Sequence, residues 1–87
     1  MDIEILSFLP DTTGNQLVLG HVQISIDSRV KVWLGVRKGR VGPYIRFPAF
    51  LYADQWIKTI EYPDEKDFEK IINQKAIECL KARGDIR

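Results

Sequence analysis

The sequence predicts an α+β fold: an antiparallel β-meander of about five strands, followed by one C-terminal α-helix packed on the sheet. Three observations carry this reading. Up to Tyr62 the chain falls into short stretches in which apolar and polar residues largely alternate, the period of a strand with one buried face. Short segments rich in Pro, Gly, Asn, Asp and Ser separate those stretches, so sequential strands pair through tight turns. After Pro63 the apolar spacing changes to three and four residues, one stripe of a helix.

The elements follow in order. Asp2 to Leu9 reads as a strand with Ile3 and Ile5 on one face and Leu6 and Phe8 on the other, a mixed pattern that predicts partial cover on both sides. Pro10 to Asn15 is a turn. Gln16 to Asp27 is a long second strand that places Val18, Gly20, Val22, Ile24 and Ile26 on one face and Leu17, Leu19, His21, Gln23 and Ser25 on the other. Gly20 marks a bulge or a close backbone approach. Asp27-Ser28 reverses the chain into a third strand, Arg29 to Arg37, with Val30, Val32, Leu34 and Val36 inward and Arg29, Lys31, Trp33 and Arg37 outward. Lys38 to Gly42 turns into a fourth strand, Pro43 to Pro48, where Ile45 and Phe47 oppose Tyr44 and Arg46. Ala49 to Ala53 carries no charge and reads as a cover over the core or an oligomer contact. Gln55 to Tyr62 is the fifth strand. Pro63 to Asp67 opens a helix of about 20 residues, its acids at the positive end of the dipole. Phe68, Ile71, Ile72, Ala76, Cys79 and Leu80 form its apolar stripe, Gly84 its C-terminal cap, and Asp85 to Arg87 a frayed tail.

A chain of 87 residues makes a single domain, 1–87, with one modest core that oligomerisation would enlarge. Its apolar fraction of 45% excludes a disordered chain, and its apolar runs are too short to span a membrane. Met1-Asp2-Ile3-Glu4 lacks the basic start of a secretory signal, and Cys79 has no second cysteine to pair with; both fit a cytoplasmic protein. A net charge of +1 hides strong segregation. Residues 1–27 hold four acids and no Lys or Arg, whereas residues 28–53 hold six cations and no acid. Local sign, not the total, decides affinity for a polyanion. The alternative is that outward cations serve solubility and edge protection.

Catalytic chemistry is poorly represented, so the chain does not read as an enzyme, and no cofactor or metal is implied. His21 is the sole histidine and sits mid-strand, so no two-histidine metal set exists. Cys79 lies on the apolar stripe as a structural thiol. Gly35, Gly39 and Gly42 follow no strand-to-helix step and no Gly-Lys-Ser/Thr, so they read as hairpin glycines. Asp64, Glu65, Asp67 and Glu69 serve the helix dipole and a solvated face.

Nucleic-acid chemistry is present. Cations neutralise phosphates and flat rings stack on unpaired bases. Arg29, Lys31, Arg37, Lys38, Arg40 and Arg46 supply the charge, and Trp33 and Tyr44 the rings. With a two-residue loop at Lys38-Gly39, Trp33 would oppose Tyr44 and Lys31 would oppose Arg46; a four-residue loop changes the partners and keeps the faces. A cationic, aromatic sheet face suits single strands or backbone recognition. The competing reading is a protein–protein module or structural dimer, with Trp33 and Tyr44 packed in an interface and Phe50, Leu51, Tyr52 and Trp56 as its apolar patch.

The motifs Ser25-Ile-Asp27, Val30 to Val36, Gly42-Pro-Tyr-Ile-Arg-Phe-Pro48, Trp56-Ile-Lys-Thr-Ile-Glu-Tyr-Pro63 and the helix Ile71 to Leu80 follow one another in this chain. In this order it resembles the SpoVG family of stage V sporulation and septation regulators, from Ile3 to about Leu80. The resemblance implies a cytoplasmic bacterial regulator that binds DNA or RNA and forms a homodimer through its sheet. Family members look basic after the Phe-Pro step and near the helix start; here those places read Ala49-Phe-Leu-Tyr52 and Asp64-Glu-Lys-Asp67. The hairpin cations must then carry more of the binding.

Overall fold

Alternating residues commit the chain to strands, and the turn chemistry between them sets how those strands meet. A computed structural model describes residues 1–87. It contains β1 (Ile3–Pro10), β2 (Val18–Ile26), β3 (Val30–Lys38), β4 (Pro43–Arg46), β5 (Ala49–Tyr52), β6 (Gln55–Lys58) and α1 (Phe68–Ala82). The first four strands pair as sequential antiparallel neighbours in the order β1-β2-β3-β4, and β5 with β6 makes a second, two-stranded sheet. The fold is α+β, an antiparallel meander with one C-terminal helix on one face.

The helix covers the face built by Ile3, Val22, Ile24, Ile26, Leu34, Val36 and Ile45, against which it buries Phe68, Ile72, Ala76 and Leu80. Those four recur every fourth residue, a narrower stripe than the sequence predicts: Ile71 is exposed and Cys79 only half-buried. Asn73, next to Ile72 on the helix, accepts a 2.7 Å hydrogen bond from the Ile45 N–H and ties the helix to the outermost strand of the sheet.

Two β-bulges break the simple alternation. The first, between Ile5 and Ser7, lets Phe8 share the core face with Ile5. The apparent two-sided pattern of β1 is therefore a bulged one-sided strand. The second, between Val18 and Gly20, moves Leu19 against the core and Val18 to the opposite face, beside Arg37. Gly20 itself is buried at φ +156°, where an added Cβ would collide with the Leu9 carbonyl oxygen and stand 2.7 Å from Phe8 Cζ.

Residues 49–52, expected to cover the core or to make an oligomer contact, form β5 and do not cover the core. Ala53 and Asp54 both take positive φ (49° and 62°), the mirror-image turn that closes a two-residue hairpin; Asp27 and Ser28, at 53° and 57°, take the same backbone in the three-residue loop 27–29 between Ile26 and Val30. The hairpin is an arm: all eight of its strand residues are exposed, and they make no packed layer with the main sheet or the helix. Its base is held where the Thr59 N–H and Oγ1 reach the Pro48 carbonyl, and where Lys58 Nζ meets Glu69 Oε2 at 2.6 Å. The Glu69 carboxylate raises the Lys58 pKa, although an exposed pair of this kind adds little stability.

The expected fifth strand stops at Lys58. Ile60 and Tyr62 then turn back onto the core. The helix begins at Phe68 instead of Pro63 and runs 15 residues, because residues 62–68 are taken up by turns in which Glu65 N–H donates to the Tyr62 carbonyl and Phe68 N–H to the Glu65 carbonyl. At the other end Gly84, at φ +80°, donates to the Lys81 carbonyl while Asp85 N–H reaches back to the Leu80 carbonyl. That cap returns the chain to the body, so the tail is not frayed: Ile86 packs against the core and Asp85 pairs with Arg83 at 3.1 Å.

Asp27 fastens the far end of the sheet. Its carboxylate accepts from the Tyr62 hydroxyl (2.6 Å) and from the Asp2 N–H (2.7 Å). The Tyr62 bond first, and the Asp2 bond second, hold the Asp27 pKa below the usual carboxylate range, and the same Asp27 contact raises the Tyr62 pKa. A depressed carboxylate contributes stability above its unfolded pKa and loses it as pH falls through the folded value. A raised phenol contributes below its unfolded value of 10.0 and loses it as pH rises beyond. Tyr62→Phe is thus expected to be less stable than wild type at neutral pH, with the gap closing both in acid below the Asp27 titration and in alkali above that of Tyr62. Urea midpoints across pH check this; a gap independent of pH refutes it.

Candidate nucleic-acid interface

The sheet face opposite the helix is where period-two alternation sends the polar residues of β2, β3 and β4. Strand register arranges them in rows. Glu4, Ser25 and Lys31 form one; Ser7, Gln23 and Trp33 the next; Leu9, His21, Gly35 and Arg46 the third; Val18, Arg37 and Tyr44 the fourth. Charge is graded across these rows, with Glu4 on β1 at one margin and Arg37 and Arg46 on β3 and β4 at the other. Trp33 and Tyr44 are each 44% exposed.

The hairpin between β3 and β4 has four loop residues, 39–42, because Lys38 pairs with Pro43. The faces hold, but the partners shift. Arg37 opposes Tyr44, and Arg46 opposes Gly35; Trp33 and Lys31 lie beyond the paired length of β4. No two cations stand directly opposite each other, so the like-charge contact expected for the shorter loop does not arise. Trp33 and Tyr44 are four residue steps apart along the hairpin, about 13 Å, and present two separate rings.

Of the eight residues singled out in the sequence, five share this face: Lys31, Trp33, Arg37, Tyr44 and Arg46. Lys38 and Arg40 stand at the hairpin tip, where with the C-terminal residues Asp85, Ile86 and Arg87 they line a different cleft, of about 580 Å³. Arg29 lies in the turn at the far end of β3, where its guanidinium helps to lower the Asp27 pKa, about 30 Å of strand away from Lys38. The structure therefore divides one cationic segment into a face, a tip and a distant turn.

The cations of the face and tip form no intramolecular salt bridge. The two salt bridges of the protein are Lys58–Glu69 and Arg83–Asp85, and neither draws on Lys31, Arg37, Lys38, Arg40 or Arg46. Asp11, an acid at the rim of the face, accepts from the Thr13 hydroxyl at 2.9 and 3.0 Å and shares one cleft with Arg37 and Arg46. Between the rows lies a cleft of about 480 Å³ bordered by Asp11, His21, Trp33, Gly35, Arg37 and Arg46 and walled by Pro48 and Ala49 at the base of the arm. The sequence reading passed over His21 and Gly35 as members of this site. The signal for both is positional: each lies on the outward parity of its strand, in the same row as Arg46.

His21 and Cys79 do not approach each other; one lies on the outer face and the other on the helix. No helix is long and apolar enough to cross a membrane. No family model, curated protein or solved structure matches the chain.

Proposed function

We propose that this chain is a nucleic-acid-binding regulatory protein that holds single-stranded DNA or RNA, or a backbone, on its outer sheet face. The observation that supports this best is the face itself: Arg37 and Arg46 lie in adjacent rows without salt-bridge partners, flanked by two half-exposed rings, on a sheet surface that no element of the chain covers. Cations of this kind release counterions from a polyanion, and exposed rings accept unpaired bases whatever their sequence. Lys31 extends the face, and Lys38 and Arg40 extend the field at its tip. Its work is binding and not turnover. Following the resemblance in its motifs, the chain is a SpoVG-like regulator acting in the cytoplasm.

The homodimer belongs to the same proposal. A two-stranded hairpin is marginal alone in water. Here β5 and β6 expose Phe50 and Tyr52 on one face and Leu51 and Trp56 on the other, with Tyr52 at 71% and Trp56 at 70% exposure. A second copy would bury these rings and bring two basic faces onto one strand of nucleic acid, raising affinity through effective concentration. The same arm favours the second reading, a protein–protein module with no nucleic-acid activity.

Fluorescence anisotropy of labelled single- and double-stranded oligonucleotides, at low and moderate salt, separates the two. Binding to random sequences that weakens steeply with salt is the expected result. Absence of binding at low salt defeats the first reading and turns attention to the arm.

A further inference from the structure

Gly35 lies in the interior of β3, paired on both sides, between His21 of β2 and Arg46 of β4. A glycine here weakens the strand: it has more freedom to lose on folding and no side chain to pack. The fold does not require it. An added Cβ would meet its nearest neighbour, Arg46 Cβ, at 3.5 Å, an ordinary contact, and the backbone at Gly35 is not in the left-handed region. Gly20 is the opposite case, since there a Cβ has no room. Packing and backbone conformation therefore explain Gly20 and leave Gly35 unexplained.

What the missing side chain creates is the floor of the 480 Å³ cleft. Same-face neighbours on a strand stand about 6.7 Å apart, so a planar ring resting on Gly35 comes within aromatic contact range of Trp33 on one side. Arg37 stands at the same spacing on the other side, where a guanidinium stacks on a flat ring. Arg46 flanks the floor from β4 and His21 from β2. Flat ring, open floor, cation and a second cation within reach of a phosphate are the elements that hold one unpaired nucleotide.

We propose that the Gly35 cleft is a single-base pocket: one unstacked nucleobase of a single strand seats over Gly35 between Trp33 and Arg37, with Arg46 on its phosphate. This rests on the outer face being a nucleic-acid surface and adds to it a preference. Duplexes, whose bases stay inside the helix, engage only the cations. Single strands also fill the cleft.

Gly35→Val tests it. Valine suits a strand interior and closes the floor, so the variant keeps or raises its melting temperature. Its affinity for a single-stranded oligonucleotide falls roughly tenfold or more, as loss of a base stack does, while its affinity for a duplex of the same length hardly moves. Trp33 reports directly: in a Trp56→Phe background, single strands quench the remaining indole, and Gly35→Val abolishes the quench. Should valine prove too large for the fold, Gly35→Ala, whose Cβ the structure accommodates, gives a smaller loss in the same direction. Unchanged single-strand affinity in a folded variant overturns the pocket and leaves the basic face standing. Equal losses for single strand and duplex also overturn it, assigning Gly35 to the shape of the face alone. If the wild-type protein binds neither nucleic acid, the failure lies in the basic-face reading itself.

Discussion

Alanine at both Arg37 and Arg46 is expected to lower affinity for single-stranded oligonucleotides by one to two orders of magnitude at low salt. It should also flatten the dependence of log K on log salt by about 1.4, the slope of two phosphate contacts on a single strand. The geometry makes the result position-specific. Both guanidiniums stand on one face and neither is held in an intramolecular salt bridge. Alanine at Lys38 and Arg40 removes the same formal charge from the tip and should cost less, since that pair opens toward the C-terminal cleft. Arg29→Ala should change affinity by less than about twofold. It sits about 20 Å or more of strand from Arg37 and Arg46, beyond two screening lengths at physiological salt, and lies beside the Asp27 carboxylate. Anisotropy titrations of the three variants rank the regions; an Arg29 effect equal to that of the Arg37/Arg46 pair would disprove the assignment.

The second large effect concerns stability. Gly20→Ala is expected to cost about 3 kcal/mol or more, because one methyl group must be placed against the Leu9 carbonyl and the Phe8 ring on a backbone at φ +156°. In a domain of this size that lowers the melting temperature by more than about 10 °C. Contacts of backbone with backbone yield little, and Gly20 adjoins the bulge that turns Leu19 toward the core, so relaxation would disturb the pairing of β1 and β2 together. Thermal denaturation followed by circular dichroism measures it. A variant melting within two or three degrees of wild type would mean that the bulge repacks freely.

Regular alternation made β3 and β4 legible down to which side chains face outward, and with them the residues of the candidate interface. Where the chain departs from strict period two, the reading fails in ways that have causes. A bulge shifts parity by one residue, which is why Phe8 and Val18 each lie on the face opposite to the one their spacing suggests. Ala49-Phe-Leu-Tyr52 has no polar alternation and, with both faces of β5 exposed, no buried side to mark it as a strand. Pro63 and the acids after it resemble a helix start, yet the turns ending at Phe68 use those residues first. Register was legible only up to the length of the loop, which a sequence with three glycines at 35, 39 and 42 does not fix. Gly35 could be seen but not valued, since its significance is that nothing in the fold needs it.

The hydrogen bond from Ile45 to Asn73 has a further consequence for how copies of the chain can meet. β4 is an outermost strand of the sheet, and an outermost strand with free N–H groups is a template onto which another chain can add. Asn73 occupies the N–H at the centre of this short strand with a helix side chain. That edge is guarded against strand addition in the very hairpin that carries Tyr44 and Arg46. The guard sits on the helix side of the sheet, so it keeps the β4 border closed to ribbon-like self-assembly while leaving the opposite surface open to a ligand.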